Sequence, residues 1–217
     1  MKHIGLYKES VGMKIGFAII TEDRFVNQIV ALEHQFHDKA HFFNSLGKIE
    51  NLPHTTLFQG EMKEDINYYE IAEYIADEYA KLSKSRNLKF SNIKYFPHGW
   101  YFLMCKKSKE LSTLHNLVLN KVKSFVVLPD DRMERITEEM PVIQREAIRE
   151  YNYRYAGEAF CPHITIGRSD SKNEMILDEM NFAISQIDMV ALVDRITVYK
   201  MGANGTHEET LYETKIP

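Results

Sequence analysis

Pro53-His54-Thr55-Thr56-Leu57 and Pro162-His163-Ile164-Thr165-Ile166 are one phrase written twice in a chain of 217 residues. Each copy has a proline, a histidine, a threonine two residues on, and an aliphatic residue next. In an extended strand, side chains at i and i+2 share a face. His54 and Thr56 therefore project together, and so do His163 and Thr165. Two such strands facing each other place two imidazoles and two hydroxyls in one cleft. Imidazoles act as general base and general acid near neutral pH, and hydroxyls are short donors suited to phosphate oxygens. Together these groups can make or break a phosphodiester without a metal. A lone His-x-Thr is a weak motif, but two copies of the full phrase are far rarer by chance.

Outward from the motifs, the elements fall into an order that repeats. Lys14 to Ile20 is an unbroken apolar run that reads as a buried strand. A helix follows over about Arg24 to Lys39, with Asp23 or Thr21 as its cap and Phe25, Ile29, Leu32 and Phe36 as its apolar stripe. The first motif strand runs from Pro53 to Phe58 and is ended by Gln59-Gly60. Asp65 caps a second helix, about Ile66 to Ser83, striped by Ile71, Ile75, Tyr79 and Leu82. A strand pair, Leu88 to Tyr95 and Trp100 to Lys106, turns at Phe96-Pro97-His98-Gly99. A third helix, Lys109 to Phe125, carries Leu111, Leu114, Val118 and Val122 on one face. After a charged segment comes the second motif strand, Cys161 to Gly167. A fourth helix, about Lys172 to Ile187, leads to a last strand pair, Leu192 to Met201 and Glu209 to Ile216. Each motif strand is thus followed by a helix and a strand pair. This predicts an α+β fold, a duplicated pseudo-two-fold bilobal arrangement of two antiparallel sheets with outer helices and a central cleft. The motifs are expected to line that cleft.

The segment 129–158 breaks the pattern. It is charged, rich in Tyr and Arg, and holds a short helix near Val142 to Tyr151 with Pro141 at its first turn. The whole chain, 1–217, is read as one domain with this segment as an insertion. Tyr151, Tyr153 and Tyr155, with Arg149 and Arg154 among them, form an aromatic and basic cluster fit for a nucleotide lid. Phe58 shares the His54 face by alternation and is a candidate for base stacking. Arg168 is the candidate extra cation. Alternation puts it on the face opposite His163, so it reaches the cleft only if Gly167 bends the strand. His98 and Trp100 are further pocket candidates near the hairpin turn.

Charge and composition bound the partners. A net charge of -4 argues against long double-stranded nucleic acid and leaves nucleotides and short oligonucleotides as substrates. Cys105 and Cys161 have no metal-ligand spacing and read as free thiols in a reducing cytoplasm. Cys161 shares the face of His163 by alternation, but an inert buried thiol is the commoner reading. His34, His37 and His41 step along the first helix at helical spacing. No acidic or cysteine partner is evident from the sequence, so a solvated face is expected there, with no metal and no cofactor. The N-terminus has no leader of signal-peptide type and no apolar run approaches a membrane span. A cytoplasmic monomer with no membrane partner is expected.

With these residues in view, the chain resembles the two-histidine phosphoesterase superfamily, which includes bacterial 2′,5′ RNA ligases and 2′,3′-cyclic nucleotide phosphodiesterases. The likeness rests on His54-Thr55-Thr56, His163-Ile164-Thr165 with its trailing Gly167-Arg168, and the strand Val193 to Lys200. The motifs stand further apart than in compact bacterial members, and the segment 129–158 supplies the excess. The resemblance implies metal-independent phosphodiester chemistry. One of His54 and His163 acts as base and the other as acid, while Thr56 and Thr165 hold non-bridging oxygens. It implies hydrolysis of a cyclic or internally linked nucleotide. The alternatives are 2′,5′ RNA ligation or a non-catalytic module that binds nucleotide ends. The presence of all four motif residues weighs against the module.

Overall fold

The computed structural model describes residues 12–170 and 172–217. The expectation about a leader falls on residues 1–11, which lie outside the described residues. Among the described residues seven strands form, β1 (Met13–Thr21), β2 (Thr55–Met62), β3 (Asn87–Phe96), β4 (Trp100–Cys105), β5 (His163–Arg168), β6 (Val190–Met201) and β7 (His207–Lys215). Five α-helices accompany them, α1 (Asp23–Ala40), α2 (Tyr68–Leu82), α3 (Lys109–Val122), α4 (Val142–Tyr151) and α5 (Glu174–Ile184). No helix among the described residues is long and apolar enough to cross a membrane.

The apolar patterns translate directly into burial. From Ile15 to Thr21, β1 is buried on both faces, as its unbroken apolar run requires. The stripes of α1 and α3 are buried throughout, as are Ile71, Ile75 and Tyr79 of α2. In contacts between elements, α2 packs on α3, β6 and β7, while α1 packs on α5 and β5. The helix starts differ from expectation. At α1 the cap position is Glu22, which makes no side-chain cap bond, and at α2 the cap is Asn67, whose side chain accepts from Glu70 N. The β2 strand also continues past Gln59-Gly60 to Met62, because its far half is held by pairing with Met13 to Phe17 of β1.

All strands are antiparallel to their neighbours and join into one sheet, in the order β1-β2-β5-β4-β3-β6-β7, with β1 also paired to β6. Two sheets were expected from the sequence. Two joints link the strands into one. Val190 to Leu192 of β6 pair with β3, while Val193 to Lys200 pair with β1, so one long strand serves both halves. The second joint is a single residue pair between β2 and β5, Thr55 opposite Ile164. These are the middle residues of the two motifs.

The segment 129–158 folds as a 3-10 turn (Asp130–Arg135), α4, and an irregular run ending in a 3-10 turn (Gly157–Ala159). His115 of α3 ties its end to β2. The ring donates from Nδ1 to the Leu57 carbonyl at 2.6 Å and accepts at Nε2 from Gly157 N at 2.9 Å. In the β3–β4 hairpin, His98 and Gly99 both take positive φ. A Cβ at Gly99 would also meet the Ser169 carbonyl oxygen at 1.8 Å, so only glycine fits that turn.

Candidate active site

The single pair Thr55–Ile164 sets the register of the site. In that register His54 stands opposite Thr165, and Thr56 opposite His163. All four side chains share one face, since 55 and 164 point the other way. The two histidines are then diagonal, each beside a hydroxyl from the other strand. All four line a cleft of about 440 Å³.

Beyond the threonines, both strands bulge at the same step. Phe17 faces Phe58 and Ala18 faces Thr56, so Leu57 is an extra residue. Tyr101 faces Gly167 and Phe102 faces Thr165, so Ile166 is the matching extra residue. A bulge resets the alternation by one position. The next side chains on the cleft face are therefore Gln59 and Arg168, three residues beyond Thr56 and Thr165, and both line the cleft. Strict alternation puts Phe58 there instead. Phe58 is fully buried, away from the cleft, with its ring edge-on to Tyr151 and Tyr153. Arg168 reaches the cleft through the bulge at Ile166.

The two imidazoles are held alike. His54 Nδ1 donates to the Leu52 carbonyl at 2.7 Å, and His163 Nδ1 donates to the Cys161 carbonyl at 2.6 Å. Each accepting carbonyl is two residues upstream. A proton fixed on Nδ1 leaves Nε2 with a free lone pair. The rings are packed as well as bonded. His163 stacks on Phe102 at 3.8 Å between centroids, with Tyr155 edge-on at 5.3 Å. His54 lies 4.8 Å from the buried Tyr199 ring, which in turn stacks on His207. Burial lowers the pKa of both rings to about 4, against the opposing pull of the backbone bonds. Both are neutral at pH 7 in the free protein. A negative charge between them favours the protonated form of either ring.

The walls bring most of the predicted binding residues together. Trp100, Tyr153, Arg154, Tyr155 and Arg168 all line the cleft, with His98 at the hairpin turn. Tyr153 and Tyr155 are not an open lid. Both are mostly buried, edge-on to each other, and present only part of each ring to the cleft. Arg149 and Tyr151 of the same cluster do not line it. The Arg168 guanidinium lies 5.3 Å from the Trp100 ring and 5.7 Å from Phe43, and donates to His98 O and to Asn204 Oδ1, both at 3.0 Å. Gln59, Phe102, Arg135 and Asn204 also line the cleft and had escaped the sequence reading. Aligning the two motif copies residue by residue sets Gln59 against Arg168, a signal that finds the first of them. Tyr199 donates to Gln59 Oε1 at 3.1 Å and so fixes that amide.

The histidines of α1 have a different task. Glu33 is a fully buried acidic partner that the sequence did not reveal. It accepts from His37 and from Leu46 N, while His34 Nε2 donates to the Leu46 carbonyl. Together they tie down the loop that leads into the first motif. His41 ends the helix in the left-handed conformation, away from that arrangement. Among the described residues no group of three His, Cys, Asp or Glu side chains is placed to hold a metal. Burial raises the Cys161 thiol, and it does not line the cleft.

No family model matches the chain, and no curated protein matches it. Solved structures do. E. coli LigT in its apo form superposes with a TM-score of 0.51 at 15% identity, over 95% of this chain and 98% of that one. E. coli LigT complexed with 3′-AMP gives 0.51 at 14% identity, over 94% and 98%. The protein TT0787 of Thermus thermophilus gives 0.51 at 13% identity, over 94% and 98%. At such identities the likeness is one of fold. That likeness of fold covers nearly the whole chain.

Proposed function

We propose that this protein is a metal-independent phosphodiesterase that hydrolyses a cyclic or internal 2′,5′ or 3′,5′ linkage in a nucleotide or short oligonucleotide. One observation carries the reading. Two imidazoles, each with Nδ1 bonded to a backbone carbonyl and Nε2 free, share one cleft with two threonine hydroxyls. The scissile phosphate sits over the four side chains. Nε2 of one histidine takes the proton of the attacking water, or, at an internal linkage, of the neighbouring ribose hydroxyl, whose cyclic phosphate product water then opens. The other, protonated once the anion is bound, gives its proton to the departing ribose oxygen. Thr56 and Thr165 donate to the non-bridging oxygens where charge builds. Either ring suits either role, since their anchoring is the same and their pKa values are alike. The two halves act as a pseudo-two-fold pair within one domain, with residues 129–158 as an insertion over the cleft. The protein works as a cytoplasmic monomer on small substrates, in keeping with its net charge and two free cysteines.

The test is a turnover screen in excess EDTA. The panel holds 2′,3′-cyclic mononucleotides, 2′,5′-oligoadenylates, cyclic di- and trinucleotides, and a 2′,5′-linked RNA. At least one compound is cleaved, and Thr56→Val and Thr165→Val each slow its kcat by about 100-fold. Binding without turnover across the panel, or turnover only with added metal, overturns the proposal.

A further inference from the structure

More positive charge faces the cleft than the motif side chains account for. Arg135, Arg154 and Arg168 all line it. Arg168 belongs to β5 and is braced beside the motif threonine by His98 O and Asn204. The other two come from the insertion. Arg135 closes the 3-10 turn Asp130–Arg135, and Arg154 lies between Tyr153 and Tyr155. Partial desolvation, and after it the nearby Arg154 charge, lower the Arg135 pKa. Asp131 pulls the other way. Yet among the described residues no carboxylate comes within ion-pairing distance of any of the three.

Their partners are neutral. Arg135 donates to Asn152 Oδ1 at 2.6 Å and to Asn152 O at 3.3 Å, and the Arg154 charge acts on the neighbouring Tyr155 phenol. Such bonds aim a guanidinium without cancelling its charge. Two like charges held together over a cavity repel, and an anion between them removes the repulsion. The planar guanidinium fork also matches phosphate oxygens in pairs. This occurs in a chain whose acidic residues, 31, outnumber its 27 Lys and Arg, so the pair is a local feature and not a consequence of composition.

The geometry points to a second anion site, formed by Arg135 and Arg154 in the cleft of the motifs, that takes a second phosphate of the substrate. The substrate class then narrows to oligonucleotides carrying at least two phosphates, linear or cyclic. A mononucleotide fills the motif site alone and leaves the arginine pair unused. This rests on the phosphodiesterase reading of the same cleft.

The test reads binding, so that it stands apart from turnover. Adenosine 3′-monophosphate and a 5′-phosphorylated 2′,5′-diadenylate are titrated calorimetrically at one fixed salt concentration. The proteins are wild type, Arg135→Gln, Arg154→Gln, the double variant, and Arg135→Lys. Wild type binds the diadenylate at least about tenfold more tightly than the mononucleotide, and the double variant loses that margin. Its mononucleotide affinity moves by less than about twofold, and Arg135→Lys keeps only part of the margin, since lysine supplies the charge without the paired donors. Arg135 is exposed, so Arg135→Gln folds and carries the test alone if the double variant does not. Equal losses for both probes, or no loss for either, overturn the second site. Loss of the diadenylate margin in a protein that cleaves nothing upholds the site and refutes only the catalytic reading.

Discussion

At the scale of single residues, the site depends on which nitrogen carries the proton. The carbonyls of Leu52 and Cys161 hold it on Nδ1 in both rings, and burial keeps both rings neutral. An anion that enters the cleft raises the pKa of these rings, so its binding is expected to take up protons. Sulfate, whose charge is constant between pH 5 and 8, binds more tightly as pH falls across that range. Calorimetry in buffers of different ionisation enthalpy reads net proton uptake, which His54→Ala and His163→Ala reduce. Neighbouring threonines give opposite results. Thr56 faces the cleft, whereas Thr55 is buried with its hydroxyl unpartnered. Thr55→Val removes an unsatisfied hydroxyl at nearly constant shape, so thermal denaturation shows equal or higher stability and kcat is kept. The histidines and threonines were legible in the sequence because strand alternation alone fixes their shared face. Phe58 and Gln59 were not, because the bulge at Leu57 resets the alternation, while Arg168 was legible as a candidate that needed a bend near Gly167, which the bulge at Ile166 supplies.

At the scale of elements, the helices were legible from their apolar stripes, while their caps and the extent of β2 depended on tertiary pairing. The role of His115 was equally hidden. Its ring joins the bulge carbonyl of Leu57 to Gly157 and stacks on Phe160, so it fastens the insertion to the first motif strand. Burial lowers its pKa to about 4 as well. His54, His115 and His163 thus bind a proton less readily in the folded chain than in the unfolded one. The stability they contribute is fully present above pH 6.5 and is lost as pH falls toward 4. Each contributes on the order of 3 kcal/mol at most. Urea midpoints measured from pH 7 to pH 4.5 decline accordingly. In His115→Gln, which retains a donor and an acceptor but does not titrate, the decline is shallower. A second element-scale test is Gly167→Ala. Its Cβ would lie 2.5 Å from the Phe42 ring, which is itself packed against Tyr101. The clash costs about 1–3 kcal/mol in thermal denaturation. It also shifts the strand that carries Arg168, so KM for any cleaved nucleotide rises.

At the scale of the whole molecule, the repeated phrase foretold an α+β fold of antiparallel strands whose two motif strands line one cleft. It did not foretell one continuous sheet. That depends on β6 being long enough to pair with β1 along most of its length and with β3 at its start, and on one contact between motif centres, Thr55 and Ile164. The insertion was legible as a departure in composition, but its packing was not. Tyr153 and Tyr155 are buried as wall, and Arg135 enters from a 3-10 turn that carries no apolar period. What the joint between β2 and β5 achieves is to set both imidazoles in one cleft. The most direct measurement is kcat in excess EDTA, on the best-cleaved compound, for wild type, His54→Ala, His163→Ala and the double variant. Each single variant loses about 1,000-fold or more, and the double variant loses little beyond that, because acid and base work as one unit. A single variant that keeps a tenth of the wild-type rate, or losses that multiply in the double variant, would contradict the two-histidine account.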